Sequence, residues 1–499
     1  MGQFLFYYQR PEPATWVFLS SFLVVGLFFM FHRLWSMRNL DVVLLILLAP
    51  GLMMVYEGRK KRLEEPDRSA LVSGHEAKRP NAPSRVRYVS QREIPGPGAA
   101  AGPTSISPGE TAGRLSTWSA QRLEYWGFVW LFVVCGLLVI RMLVDTAMVR
   151  RPLLEPNLSS GGLTFIGVSL FLFLMANVLT SQPEEQRRQG ARLGPGYVLL
   201  NMLPDISTTP DEDLADSLGS LAMNADLGPD NPVPAGSNRS LLVLARALAI
   251  LSNCVIVAGT VAIGWLHFGN VKTGIGAATL FLLLPYTAQM TGRVDHVLPG
   301  ALLVLALLSY RKPLLSGLFL GCAAGLVYYP FFLLPLWLSF YWQRGLRRFL
   351  MGLGVVLVGL MSALAFGPTG LLDHLRQMYG VFLPAVQGLE GIWGYWHPYF
   401  RLPVLVAFVI LCLSFTFWPV QKSFGTLLCC SGAIMIAAQF WHGYGGGLYM
   451  AWFLPMVILT VFRPNLDDRI ALNVVRPSRP REQKAIMPLP QQAPLAQAG

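Results

Sequence analysis

Charge is what this chain has least of. Asp, Glu, Lys and Arg make up 13% of its 499 residues, about half the share found in soluble chains, which excludes an ordinary soluble domain. Cysteine offers no frame. Cys135, Cys254, Cys322, Cys412, Cys429 and Cys430 all fall in apolar runs and form no Cys-x-x-Cys pair. They read as small packing residues rather than thiolate ligands or disulfide partners. No P-loop, His-Glu-x-x-His, Gly-x-Ser-x-Gly or dinucleotide fingerprint occurs, so an ATP-driven pump is not expected. Sustained apolar–polar alternation is missing too, which excludes a β-barrel. The opening MGQFLFYYQRPEP has no basic stretch or small-residue cleavage site, and Phe6 breaks the myristoylation pattern. The first apolar run is therefore expected to remain as a span.

What the chain does have is apolar length: 53% of its residues are hydrophobic. Runs at 15–32, 40–56, 126–147, 161–180, 240–266, 273–290, 297–310, 314–328, 330–342, 349–367, 402–419, 424–440 and 448–462 suit crossing of a bilayer. The expected fold class is all-α, a polytopic transmembrane helical bundle of about 12–13 spans. Residues 314–342 read as one tilted helix or as two short ones broken at Pro330, since 29 residues of unbroken helix would measure about 44 Å.

The expected organisation is a transmembrane pair at 1–56, a polar and largely disordered loop at 57–123, and a second pair at 124–180. An acidic extramembrane insertion follows at 181–239. The transmembrane core is 240–463, with outer loops at 291–296, 368–401 and 441–447, and 464–499 is a disordered basic tail.

The formal charge of +12 sits in short loops and the tail. Topology and anionic headgroups explain it, and membrane lipid rather than nucleic acid is the expected partner. Lys272, Arg311, Lys312, Arg344, Arg347, Arg348, Lys422 and the tail arginines fall on one side if 314–342 is two helices. That side is then cytoplasmic, and Arg59–Arg62 becomes an exception lying outside.

Few residues carry candidate chemistry. Asp295 beside His296, after Arg293, stands at an expected outer helix end and suits proton removal from an alcohol. Solvated boundary residues are the alternative. The outer loop contributes Gln387, Glu390, Trp393, Tyr395 and His397, a mixture that suits sugar faces or an interfacial aromatic belt. His442 and Tyr444 lie in a Gly-rich turn on the same side. Gly317, Gly321 and Gly325 recur every four residues and read as a helix-packing face. Arg141 and Arg246 lie within apolar runs as lipid-phosphate or snorkelling groups, with snorkelling favoured for Arg141. Asp211-Glu212-Asp213 reads as a helix start after Thr209-Pro210 rather than as a metal motif. No metal ligands are assigned, although a divalent ion is left open.

Gly292–His296, then Arg311-Lys312-Pro313, Gly317–Gly325 and Tyr329-Pro330 follow in an order that resembles the GT-C superfamily of membrane glycosyltransferases. The nearest likeness is to glycosyltransferase family 87, a bacterial mannosyltransferase-like group. The stretch Tyr449–Pro455 is similar to that group's last span. The resemblance implies a bacterial inner membrane and a polyprenyl-phosphate sugar, mannose among the candidates, as donor. It implies transfer to an acceptor at the outer face. On that reading Asp295 or Glu390 would act as base or metal ligand, and Arg293, His296, His397 and the outer aromatics would hold sugar and phosphate. It also implies an acid in the first outer loop, for which Glu57 is the nearest match. The group often has a Lys three residues before the Pro of its Tyr-Pro break, where this chain has Val327. A transporter or flippase of a lipid-linked substrate, and a non-catalytic membrane scaffold, are the alternatives.

Overall fold

The computed structural model describes residues 13–76, 108–148, 154–181, 183–184, 200, 203–206, 239–365, 389, 391–420, 422–443 and 448–464. The Asp211–Asp213 segment lies outside them, as do residues 77–107 of the expected loop and the tail beyond 464.

The chain is helical almost throughout these residues. In order, the helices are α1 (Pro13–Phe28), α2 (Met37–Ile46), α3 (Leu48–Glu76), α4 (Pro108–Asp145), α5 (Ser160–Thr180), α6 (Arg239–Leu266), α7 (Val271–Leu283) and α8 (Pro285–Met290). They continue as α9 (Val294–Leu308), α10 (Pro313–Leu326), α11 (Leu334–Tyr341), α12 (Leu346–Ala365), α13 (Arg401–Phe417), α14 (Phe424–Trp441) and α15 (Leu454–Phe462). Short 3-10 turns cover Tyr329–Leu333, Gly391–Gly394, Pro398–Phe400 and Met450–Trp452. A two-residue antiparallel bridge joins Pro183–Glu184 to Asp205–Ile206.

Among the described residues, six helices are long and apolar enough to cross a membrane, and shorter apolar helices accompany them. The chain is a multi-pass helical membrane bundle by length and composition. The expected boundaries at 57 and 123 fall inside α3 and α4, because good helix formers there continue the pattern past the end of the apolar run. The expected span 273–290 is divided. Pro285 lacks an N–H and turns Leu284 to an extended conformation, ending α7 and opening α8. Side-chain caps fix other starts: Ser36 for α2, Ser159 for α5, Asn270 for α7 and Ser423 for α14.

Helices α2 and α3 together supply one candidate span, Met37–Arg62. Within 314–342, α10 runs to the end where Tyr329 meets His442, and α11 returns. The Tyr341 hydroxyl then donates to Tyr310 O, 2.7 Å away, just before α10 began. Two short helices, not one, fill this stretch.

The apolar face of α14 is continuous around the helix, and 89% of that helix's apolar window is buried, against 22–28% for α5, α6 and α13. Helix α14 is therefore the axis. The outer helices expose Phe165, Leu172, Val243, Leu251, Val406 and Ile410, as lipid-facing surfaces do. The glycine face of α10 packs against α12. A Cβ on Gly317 would overlap the Phe349 carbonyl, and one on Gly321 would lie 3.1 Å from Leu353 O.

Arg141 corrects the snorkelling expectation. It is 7% exposed and holds Asp41 through two bonds, Nε–Oδ1 at 2.5 Å and Nη2–Oδ2 at 2.9 Å. It also reaches Asp145 Oδ1 at 3.2 Å, and Arg463 lies 3.8 Å from Asp145 Oδ2. These four residues tie α2, α4 and the end of α15 together at what we term the Arg463 end. Arg246 donates to Ser181 O at 2.7 Å and closes the end of α5.

His267 joins α6 to α9 at the Arg463 end, with Nε2 2.8 Å from Leu308 O. Burial pushes its pKa down from 6.5 to about 4, against the pull of that carbonyl, and Arg311 lowers it further. The unfolded chain therefore binds more protons between these values, and stability is lost as pH falls from 6.5 towards about 4. Thermal unfolding in detergent should show a midpoint that drops across this window. The drop should be shallower in His267→Gln, which keeps a donor without the titration.

Candidate functional site

The opposite end of the bundle, the Asp295 end, gathers titratable and aromatic side chains from four separate segments. The first turn of α9 supplies Asp295 and His296. Its cap, Arg293, is extended, and Gly292 before it packs on the Ile206 backbone so closely that a side chain would not fit. Asp295 is 2% exposed, and its Oδ1 lies 3.5 Å from Arg293 Nε. The Trp452 indole donates to Asp295 O at 3.4 Å.

His296 has two defined neighbours. The Tyr286 hydroxyl lies 2.7 Å from Nδ1, and the Tyr449 ring stacks on the imidazole at 4.3 Å between centroids. A phenol that donates to Nδ1 leaves the proton on Nε2. That nitrogen is 3.8 Å from Asp295 Oδ2, beyond hydrogen-bond length.

His442 follows α14 in an extended conformation. Its Nδ1 is bonded to the Tyr329 hydroxyl, and its ring meets Tyr449 edge-on at 4.9 Å. Tyr449 therefore touches both imidazoles, and it also stacks on Trp452 at 4.3 Å. Burial drives the His442 pKa well below its ordinary value, and the charge of Arg401 adds to this. The ring stays neutral in the physiological range.

The sequence-expected residues divide into two groups. Arg293, Asp295, His296 and His442 come together. Trp393, Tyr395 and His397 instead belong to a neighbouring loop that packs on α4 and α14. Trp393 Nε1 donates to Phe440 O at 2.9 Å, the Tyr395 hydroxyl to Glu124 Oε2 at 3.0 Å, and Trp396 Nε1 to the Tyr125 hydroxyl at 3.3 Å. His397 is exposed and stacks on Tyr399. Gln387, Glu390 and Tyr444 lie outside the described residues.

Sequence reasoning missed Glu124. This acid is buried against Gly58 and held by Arg59 at 3.2 Å and Arg62 at 2.5 Å. Burial and Glu124 push the Tyr395 phenol up to about 12, so it remains a donor to that carboxylate. The Arg59–Arg62 run thus sits at the Asp295 end, as the alternation of spans required, with a buried carboxylate countering it. Glu57, the expected loop acid, is only partly buried on α3.

Tyr286, Tyr329, Tyr449, Trp452 and Arg401 were also not assigned to the site. Tyr329 was visible only as the neighbour of a helix-breaking proline, and Tyr449 and Trp452 only within the stretch Tyr449–Pro455. Among the described residues no three His, Cys, Asp or Glu side chains form a group able to hold a metal ion. Comparison with protein families, curated proteins and solved structures gave no match to this chain.

Proposed function

We propose that the chain is a membrane glycosyltransferase that moves a sugar from a polyprenyl-phosphate donor to an acceptor hydroxyl at the Asp295 end. The observation that carries this reading is the convergence of Asp295, His296 and His442 on the Tyr449–Trp452 aromatic stack. Flat aromatic faces hold the apolar face of a sugar, while carboxylate and imidazole groups pair with its hydroxyls.

In this mechanism Asp295 takes the proton of the acceptor hydroxyl. The acceptor oxygen bonds to the anomeric carbon, and the bond from that carbon to the phosphate oxygen breaks, its electron pair leaving with the polyprenyl phosphate. His296, neutral and oriented by Tyr286, holds a sugar hydroxyl or the leaving oxygen through Nε2–H. Burial works against the Asp295 carboxylate, and Arg293 beside it favours the ionised form. The basic Arg463 end would face the cytoplasm of a bacterial inner membrane, with the Asp295 end outward.

The test is reconstitution of the purified chain in vesicles with a panel of radiolabelled polyprenyl-phosphate sugars, mannose first. Transfer of label to water or to an added glycolipid acceptor supports the reading. Folded protein that transfers none of the panel overturns it.

A second reading, a flippase for a lipid-linked substrate, draws on the interrupted helices at Pro285 and Pro330. It also draws on buried Asn253, whose amide bonds Thr291 O at 3.0 Å. Movement of a labelled lipid across those vesicles without sugar transfer would favour it.

A further inference from the structure

Three arginines are almost wholly buried among the described residues, and they are not equivalent. Arg141 faces two carboxylates. Arg38 is held by the carbonyls of Phe28 and Glu155. Arg401, 5% exposed, has no carboxylate partner among the described residues, whose ion pairs are all made by other side chains.

Arg401 opens α13 and turns its guanidinium inward. Nε donates to Trp441 O at 2.6 Å, and the guanidinium carbon sits 5.9 Å from the centre of the Trp441 ring. Nη2 lies so close to Gly443 that a Cβ there would be 2.9 Å from it. Nη1 and Nη2 carry four further N–H groups in a planar fork.

A second donor stands beside it. The Trp441 indole N–H is buried and has no acceptor among the described residues. Arg401 is also near enough to His442 and Tyr329 for its charge to act on both. Among the described residues the neighbourhood is thus rich in donors and holds a positive charge, away from water, with no carboxylate to balance it. Such a cation is costly unless an anion joins it. A tetrahedral oxyanion with several acceptor oxygens matches a guanidinium fork and an indole N–H.

The geometry points to Arg401 and Trp441 as a phosphate-binding site, occupied by the phosphate of a polyprenyl lipid. The polyprenyl identity rests on the transfer reading above, whereas the anion site does not. In the transfer reaction the site would receive the leaving phosphate. In a chain that transfers nothing it would still bind the lipid.

Native mass spectrometry of the full chain in detergent tests this, with polyprenyl monophosphate, the matching polyprenol and inorganic phosphate as probes. One polyprenyl monophosphate should bind per chain, and polyprenol should not bind at the same concentration. Arg401→Gln should weaken the phosphate lipid by about tenfold or more, and Arg401→Lys by less. Gly443→Ala, which displaces the fork and keeps its charge, should also weaken it. An adduct that survives excess inorganic phosphate marks the lipid as the natural source. An adduct replaced by bound inorganic phosphate marks a free-phosphate site with the same chemistry.

Equal binding of polyprenol and its phosphate to the unaltered chain, a readout that needs no variant, overturns the proposal. So does a purely internal partnership with Glu390. In that case Arg401→Gln and Glu390→Gln would unfold at equally lowered temperatures, the double variant would recover, and lipid binding would be the same in all. Because binding is read without turnover, loss of the transfer reading and loss of the phosphate site give different results.

Discussion

Asp295→Asn is expected to abolish sugar transfer, by a factor of about 10²–10⁴, and to leave the bundle folded. The amide keeps the shape of the carboxylate and an acceptor oxygen, so the packing around the first turn of α9 survives. What disappears is the carboxylate that the proposed transfer uses as its base. Arg293, 29% exposed, stays solvated when its partner loses charge, so no cation is stranded in the interior. Initial rates of label transfer in vesicles and thermal unfolding in detergent, measured on the same preparation, separate the two effects. Transfer within about threefold of the unaltered chain would remove Asp295 from the mechanism. Tyr286→Phe provides a finer test. It deletes the hydroxyl at His296 Nδ1 and frees the imidazole to change tautomer. A positioning role predicts a fall in kcat, with its pH profile displaced, and little change in the unfolding temperature.

Arg141→Leu is expected to destabilise the chain by about 3–5 kcal/mol, because it takes away the guanidinium that pairs both carboxylate oxygens of buried Asp41. The magnitude follows from burial: Arg141 is 7% exposed and Asp41 4% exposed. The double variant Arg141→Leu with Asp41→Leu should recover most of that loss. It removes both charges together and leaves Asp145 with Arg463 at 3.8 Å. Reversible denaturant unfolding of the four members of this cycle gives the coupling directly. Single and double variants that fall by the same amount would show that Arg141 acts through packing alone, and that the ion pair does not hold α2 to α4.

The glycine face at Gly317, Gly321 and Gly325 was legible in the sequence because a four-residue spacing defines one side of a helix whatever lies opposite. Only the partner, α12, was missing. The break at Pro330 was legible for a similar reason, since a missing N–H ends a helix locally. The Arg59–Arg62 run stood as an exception to the charge rule. Its explanation, Glu124 across Gly58, lies more than 60 residues further along the chain. The candidate site was half visible. Asp295 and His296 stand side by side in the sequence and drew attention as polar groups at a helix end. Trp393 and Tyr395 drew equal attention, yet they secure a loop to α4 and α14. Nothing in an aromatic residue's local sequence separates a ring that holds a substrate from one that holds a loop.

The sequence by itself determined that this is a helical membrane chain, which stretches are apolar enough to enter a bilayer, and that Gly317, Gly321 and Gly325 form a close-packing helix face. These properties depend on apolar length and on the helical repeat, both of which are local. Only the tertiary structure decided which polar groups meet. Arg141 finds Asp41 across 100 positions, and Tyr329 finds His442 across 113. Each pairing depends on how two helices are rotated and shifted against each other. Apolar packing around α14 sets that rotation, because in a low-dielectric interior a buried charge or hydroxyl is tolerated only where the packed helices deliver its partner.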